Sequence, residues 1–144
     1  MIIDQKLLDE LSAQAKANPR LRQNYDLRTS PADNSLRMLN ALEPETVIPI
    51  HRHMKSSETI CMIRGKMVMK LYDEKGTITD EFVMEPCGEH PMVQVEVGQW
   101  HSLEVMEEET MVFEAKDGMY ETLTGEDYIA CYDQYVNKNV GVYP

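Results

Sequence analysis

The chain has 144 residues, of which 42% are hydrophobic and 27% are charged, which is ordinary for one globular domain with a sizeable core. Its formal net charge of −11 argues against nucleic acid or an anionic membrane surface as a partner, because either would require a dense basic surface. No stretch approaches the ~20 apolar residues of a membrane span, and the N-terminus lacks the pattern of a signal peptide.

A helix is predicted at the start of the chain. Asp4 is a suitable N-cap, and Asn18-Pro19 ends the helix after Ala17. Five apolar residues repeat at helical spacing and therefore share one side: Ile3, Leu7, Leu8, Leu11 and Ala15. We expect this segment, residues 1–19, to pack on the rest of the domain or on a partner subunit.

The next segment carries an excess of positive charge within an acidic protein. Four of the six arginines lie here, against only two aspartates: Arg20, Arg22, Arg28 and Arg37. The planar guanidinium group suits carboxylates and phosphates, so an anionic small molecule is one explanation. The alternative is that these arginines neutralise acidic surface on this chain or on a second subunit.

From Ser35 onward the hydrophobic period becomes two, which is typical of β-strands. The first strand, Ser35–Leu42, is apolar on both faces, and a turn follows it at residues 43–46. Further strands are predicted over residues 47–53, 59–63, 67–72, 77–84, 92–97, 102–105 and 110–115, with a hairpin turn at 64–66. Short strands separated by turns predict an all-β sandwich or barrel over residues 20–120. A short helix over 124–135 and a loose or partner-bound tail complete the C-terminal segment, residues 121–144.

The chemistry is concentrated between His51 and Glu58. On a strand, His51 and His53 would point to the same face, because successive side chains alternate. Imidazole nitrogens and a carboxylate oxygen together suit a divalent transition metal. His101, which lies much further along the chain, is the fourth candidate ligand. Histidine pairs of this spacing also occur by chance on exposed strands, but the whole set predicts a metal site with positions left for water or substrate.

The spacing of these residues resembles the two signature motifs of the cupin superfamily. His-x-His is followed after four residues by Glu58 and after six more by Gly65, and a Gly-x-x-His element ends at His101. The resemblance implies a small cupin barrel, also called a double-stranded β-helix or jelly roll, with a metal held by three histidines and a glutamate. Three positions depart from the motifs, in turns and not at ligands: Glu45, Glu96 and Val105.

A narrower resemblance is to the WbuC family of cupin-fold metalloproteins. It is carried by Arg22-x-Asn24, by the run Leu36–Pro44 and by Pro49-x-His-Arg-His, and it covers about residues 20–120. It implies a divalent metal, with iron, manganese, nickel and zinc all suited to the ligand set, and a role in surface-polysaccharide (O-antigen-type) metabolism. Relatives tend to carry a histidine after the Arg-x-Asn element, where this chain has Arg28, so a role for that position does not transfer.

The expected activity is that of a metal-dependent enzyme, isomerase-like or lyase-like, acting on a sugar or sugar-nucleotide precursor. No catalytic residue is assigned. The expected contacts to a small, anionic carbohydrate are Arg22, Asn24, Tyr25 and Arg37.

Two other functions stay open. A metal-independent sugar-nucleotide isomerase or epimerase would use the histidines as general acid and base. Glu58 and His101 favour the metal, because such isomerases do not need both. A non-enzymatic cupin that binds a small molecule is the third possibility, since fold does not determine function. Small cupins commonly pair through their sheets, and the apolar faces of Leu36–Leu42 would suit a homodimer.

The remaining potential metal ligands are interpreted as structural. His90 lies in a predicted loop, and methionine thioethers prefer softer copper sites. Three cysteines without a Cys-x-x-Cys pair indicate reduced thiols and a cytoplasmic location: Cys61, Cys87 and Cys131.

Overall fold

A computed structural model describes residues 1–119 of the chain. The described part contains helix α1 (Gln5–Ala17) and strands β1 (Arg22–Asp26), β2 (Ser35–Leu42), β3 (Glu58–Arg64), β4 (Met67–Tyr72), β5 (Ile78–Met84), β6 (Met92–Val95), β7 (Trp100–Val105) and β8 (Thr110–Asp117). No helix in this part is both long and apolar enough to cross a bilayer. The helix predicted over 124–135 and the tail after it lie outside the described residues.

The strands form two antiparallel sheets. The larger sheet has the order β1-β2-β8-β3-β6, and the smaller one has the order β5-β4-β7. Apolar side chains from both sheets meet in one core cluster: Leu42, Ile60, Met62, Met67, Met69, Met84, Val95, Leu103, Val105 and Val112. This arrangement confirms the predicted all-β architecture, and it includes strand β1, which the sequence pattern did not predict.

Helix α1 packs on the outer face of the larger sheet. Its N-cap is Asp4, whose carboxylate accepts a hydrogen bond from the backbone N–H of Leu7 at 3.0 Å, so the predicted helix bounds are confirmed. The apolar side of the helix and the outward residues of the sheet form a second cluster: Leu8, Leu11, Ala15, Leu39, Ala41 and Met111. Ile3, which was predicted to share this side, precedes the helix and is 44% exposed.

Both faces of β2 are buried, as its sequence predicted, but the outer face is covered by this chain's own helix. Leu39 and Ala41 point outward and pack under α1, whereas Met38 and Asn40 point inward. The homodimer prediction rested on the apolar faces of this strand and on the pairing of small cupins through their sheets, and α1 now covers the outer face. The homodimer stays a prediction, without the support of that face.

Residues 47–53 do not form the predicted strand. Pro49 has no backbone N–H to donate to a ladder, and among residues 1–119 the segment makes a single β-bridge, between His51 and His101. Three backbone hydrogen bonds nevertheless hold it in an extended course: His51 N to His101 O at 3.0 Å, His101 N to His51 O at 2.9 Å, and Gly98 N to His53 O at 2.8 Å. These hydrogen bonds therefore fix the backbone positions of His51 and His53, although the segment is not a regular strand.

Residues 64–66 do not form the predicted hairpin either, because β3 and β4 belong to different sheets. The chain crosses between the sheets at Gly65, which has a φ of +80°. A Cβ atom there would lie 2.3 Å from the Oγ1 of Thr110, so the close crossing requires glycine. The predicted turn is present. The strands with which β3 and β4 pair are set by residues far away in the chain, so the local sequence does not predict them.

Candidate metal centre

Four side chains predicted as metal ligands converge at one end of the space between the sheets. One donor atom each from His51, His53, Glu58 and His101 lies within 4.8 Å of the other three. The two nearby histidines come from the extended segment before β3, Glu58 begins β3, and His101 lies on β7. His101 and Glu58 are only 1% and 7% exposed, so the cluster is buried.

Backbone carbonyl groups orient two of the imidazole rings. The Nδ1 atom of His51 lies 2.9 Å from the carbonyl oxygen of Pro49, and that of His101 lies 2.9 Å from the carbonyl oxygen of Gln99. When each Nδ1–H donates to its carbonyl, the Nε2 lone pair is left for a metal ion. This is the supporting contact that metal-binding histidines usually make.

Two of the histidines also approach one carboxylate oxygen through their Nε2 atoms. Those of His53 and His101 each lie 3.3 Å from the same oxygen, Oε2 of Glu58. Both nitrogens are buried, and neither makes a hydrogen bond of good geometry within residues 1–119. Buried nitrogens without such a bond, gathered around a carboxylate, are the donor set that a divalent transition metal would satisfy.

The pKa shifts favour the forms that ligate metals. Burial lowers the pKa of His51 well below its ordinary value, and the neighbouring His101 and His53 lower it further. Burial acts to raise the pKa of Glu58, but close contact with His101 and His53 outweighs it and holds that pKa well below its ordinary value. A neutral imidazole and an ionised carboxylate are therefore available near neutral pH.

The cluster opens into a cavity of about 70 Å³ between the sheets. Apolar side chains, including Leu36, Ile48 and Leu103, line part of it. Another part of the lining is polar and is formed by β1, β2 and β8. We call these five residues the polar wall: Arg22, Asn24, Asn40, Glu114 and Lys116.

Within the polar wall, Glu114 has a strongly raised pKa. It pairs across the sheet with Met38 on one side and Ile60 on the other. Burial, followed by the charge of Glu58, raises the pKa of Glu114 to about 8, although Asn40, Lys116 and Arg22 act to lower it. In the metal-free protein, a carboxyl group whose pKa is raised above its ordinary value thus lines the same cavity as the candidate metal ligands.

The sequence motifs do not mark Asn40, Glu114 or Lys116 as site residues. A usable pattern was present in β8, where Thr110, Val112, Glu114 and Lys116 share the inward face. Charged residues on the inward face of a strand indicate a cavity. This pattern can be used only when it is known which face of the strand points inward.

The predicted substrate contacts separate into two groups. Arg22 and Asn24 line the cavity. Tyr25 packs beside the cluster under α1, and Arg37 contacts Asp33 at 3.3 Å, so neither lines the cavity. The Arg37 contact fits the alternative that some of these arginines neutralise acidic surface.

Solved structures similar to this chain are cupin-domain proteins. KdgF from a Halomonas species has a TM-score of 0.56 and 13% identity, covering 69% of this chain and 82% of its own. The Cnp3 cupin domain of Schizosaccharomyces pombe has a TM-score of 0.54 and 13% identity, covering 85% and 73%. Bacillus subtilis oxalate decarboxylase, a protein with Mn(II) centres, has a TM-score of 0.53 and 20% identity; the match covers 85% of this chain and 33% of that one. These similarities confirm the predicted cupin jelly roll.

Sequence comparison assigns a family without assigning an activity. None of the curated proteins compared with the chain matches its sequence. A family model described as a domain of unknown function, DUF6016, matches residues 3–84, which is more than half of the chain and includes three of the four candidate ligands. The chain is therefore a member of the DUF6016 family with a cupin fold.

Proposed function

We propose that this protein is a metal-binding cupin whose ion is held by His51, His53, Glu58 and His101. The observation that carries the proposal is the convergence of their donor atoms within 4.8 Å in a buried position. The donor set suits iron, manganese, nickel or zinc, and the Mn(II) centres of the oxalate decarboxylase support manganese as one candidate. A bound ion would polarise an oxygen of the ligand or activate a water molecule.

We further propose that the ligand is a small, anionic carbohydrate precursor of surface polysaccharide. The support is the resemblance to the WbuC family together with the position of Arg22 and Asn24 in the cavity. Arg22 would bind and orient the ligand's charged group, and the apolar lining would exclude water from it. Glu114, whose burial raises its pKa, would be the group beside the ligand that is able to hold a proton, as the acid of an isomerase-like or lyase-like reaction requires.

Elemental analysis of the purified protein tests the metal site. We expect about one transition-metal ion per chain, and we expect His51→Ala and His101→Ala to lower the metal content at least about tenfold, since each removes a ligand. His90→Ala is the matched control, because His90 packs beside Phe82, with 5.1 Å between ring centroids, and does not belong to the ligand cluster. Circular dichroism would verify that each variant folds.

The same measurement separates the alternatives. A native protein without metal, even after reconstitution with iron, manganese, nickel and zinc, would contradict the metal centre. It would favour the metal-independent isomerase or epimerase, with imidazoles as acid and base. A metal-loaded protein that binds sugars without converting them would favour the non-enzymatic cupin.

A further inference from the structure

The polar wall consists of residues other than the metal ligands, and these residues can form hydrogen bonds and ion pairs with a small molecule. Cross-strand pairing places Lys116 beside Glu58, and Glu114 lies two residues before Lys116 on the same face of β8. Asn40 lies on the inward face of the neighbouring strand β2. Arg22 and Asn24, on β1, complete the wall, so three strands present polar groups to one small space.

The net charge of the cavity favours the binding of an anion when a metal ion is present. Arg22 and Lys116 contribute two positive charges, and Glu58 and Glu114 contribute at most two negative ones. A divalent ion bound at the ligand cluster therefore leaves the cavity positive even when both carboxylates are ionised. The protein as a whole has a net charge of −11, so this is a local reversal of sign that would attract a negatively charged ligand.

Metal binding would also release Lys116. Its Nζ atom lies 3.5 Å from the Nδ1 atom of His53, an arrangement in which the ammonium group donates to the ring. When Nε2 of His53 ligates a metal, Nδ1 carries the proton of the neutral imidazole and cannot accept this hydrogen bond. Lys116 would then need another acceptor, and the oxygens of a ligand carboxylate supply one.

Asn40 and Glu114 suit hydroxyl groups. Asn40 is 7% exposed, and its Oδ1 atom has no hydrogen-bond partner within the described residues. A buried amide oxygen without a donor is costly, and a ligand hydroxyl would satisfy it. The Glu114 carboxyl can accept a hydrogen bond from a second hydroxyl in either protonation state.

The size of the cavity limits the ligand. A volume of about 70 Å³ holds about five to seven ordered waters, at roughly 10–15 Å³ of such volume for each. This space suits a molecule on the scale of one sugar and does not suit the whole of a sugar nucleotide.

We propose, building on the metal site of the proposed function, that Arg22 and Lys116 bind the carboxylate of a small hydroxy acid, on the scale of a sugar acid, while Asn40 and Glu114 bind its hydroxyl groups. The ligand lies between the polar wall and the metal. This subsite selects a carboxylate over a neutral sugar of the same size.

Calorimetric titration of the manganese-loaded protein with glucuronate, glucose and glucose 1-phosphate tests the subsite. We expect glucuronate to bind at least about tenfold more tightly than glucose, because a charge-assisted hydrogen bond is worth that much or more. Lys116→Met should weaken glucuronate binding at least about tenfold and leave glucose binding unchanged. Asn40→Leu should weaken the binding of both glucuronate and glucose, since it removes a contact to a hydroxyl group and no charge.

Lys70→Met is the matched control, because Lys70 lies on β4, contacts Glu104 at 2.7 Å and does not line the cavity. Tighter binding of glucose 1-phosphate than of glucuronate would overturn the carboxylate assignment. Equal affinities for glucuronate and glucose, no binding of glucuronate at millimolar concentration, or no effect of Lys116→Met would overturn the subsite.

Metal content measured on the same samples keeps the two proposals distinguishable. A metal-loaded Lys116→Met variant with unchanged glucuronate affinity would overturn the subsite and leave the metal-binding function standing. A native protein that takes up no metal would overturn the metal-binding function. Glucuronate binding that depends on Lys116 in that metal-free protein would still support the subsite.

Discussion

The two faces of the five-stranded sheet are built from the same strands and serve different ends. On the outer face, Leu39, Ala41 and Met111 are at most 1% exposed and pack with α1. On the inner face, Asn40 and Glu114 occupy the intervening positions and line the cavity. Strand alternation therefore separates a wholly apolar layer under α1 from an inner face that is apolar in the core and polar at the cavity. The polar groups at the cavity cost stability, because buried polar groups lose their hydration.

The largest effect is expected on the outer face. Leu11 is 2% exposed within the cluster under α1. Leu11→Ala should lower the free energy of unfolding by about 2–5 kcal/mol, since it leaves a cavity in a packed layer. Urea denaturation would measure the change, with Ile3→Ala, at a 44% exposed position, as the control. Metal content should stay unchanged in the folded variant, and its loss would show that the two faces are not separate.

The next largest effect concerns pH and the inner face. The pKa of Glu114 is raised from an ordinary 4.5 to about 8, so between these values the folded state of the metal-free protein binds more protons at this group than the unfolded state does. This group's contribution to stability is therefore most favourable below about pH 4.5 and declines as the pH rises to about 8.

Glu114→Gln removes the titrating carboxyl group and should flatten this decline. Allowing for partial solvent access, we expect the variant to gain about 1–3 kcal/mol in unfolding free energy, relative to the native protein, between pH 5 and pH 8.5. Urea denaturation in the presence of a chelator would measure it. An equal pH dependence in both proteins would mean that Glu114 titrates normally.

A smaller gain is expected at Asn40. Its amide oxygen has no hydrogen-bond partner in the described part of the chain, whereas its amide nitrogen lies 3.6 Å from the sulfur of Met38 and also interacts with the Glu114 carboxyl group. Asn40→Leu, which keeps the branched shape and the number of side-chain heavy atoms, should raise the unfolding free energy by about 1 kcal/mol, because it removes a poorly satisfied buried polar group. Thermal denaturation would measure it. A destabilised variant would show that Asn40 supports the fold and not only the cavity.

The smallest effect is expected at the helix start. Asp4 accepts a hydrogen bond from the backbone of Leu7. Asp4→Ala should lower the unfolding free energy by about 0.5–1 kcal/mol, since it removes the N-cap. Asp4→Asn, which retains an acceptor oxygen, is the matched control and should lose less. A loss as large as that of Leu11→Ala would contradict the view that packing, not capping, holds the helix.

Short-range patterns predicted the helix and the four convergent histidine and glutamate residues. The bounds of α1 follow from a cap and a proline, and three of the ligands lie within eight residues of one another. The polar wall could not be found in this way. Glu114 faces the cavity because β8 pairs with β2 on one side and β3 on the other, and this register depends on residues far apart in the chain. The crossing at Gly65 likewise depends on Thr110.

The backbone bridge between His51 and His101 has a mechanical consequence. It fastens the histidine segment to the smaller sheet, whereas Glu58 belongs to the larger one. An ion bound by these side chains would cross-link the two sheets at one end of the barrel. Amide hydrogen exchange in β3 and β7 should therefore slow together on metal loading, because the two sheets could no longer separate at that end without first losing the ion.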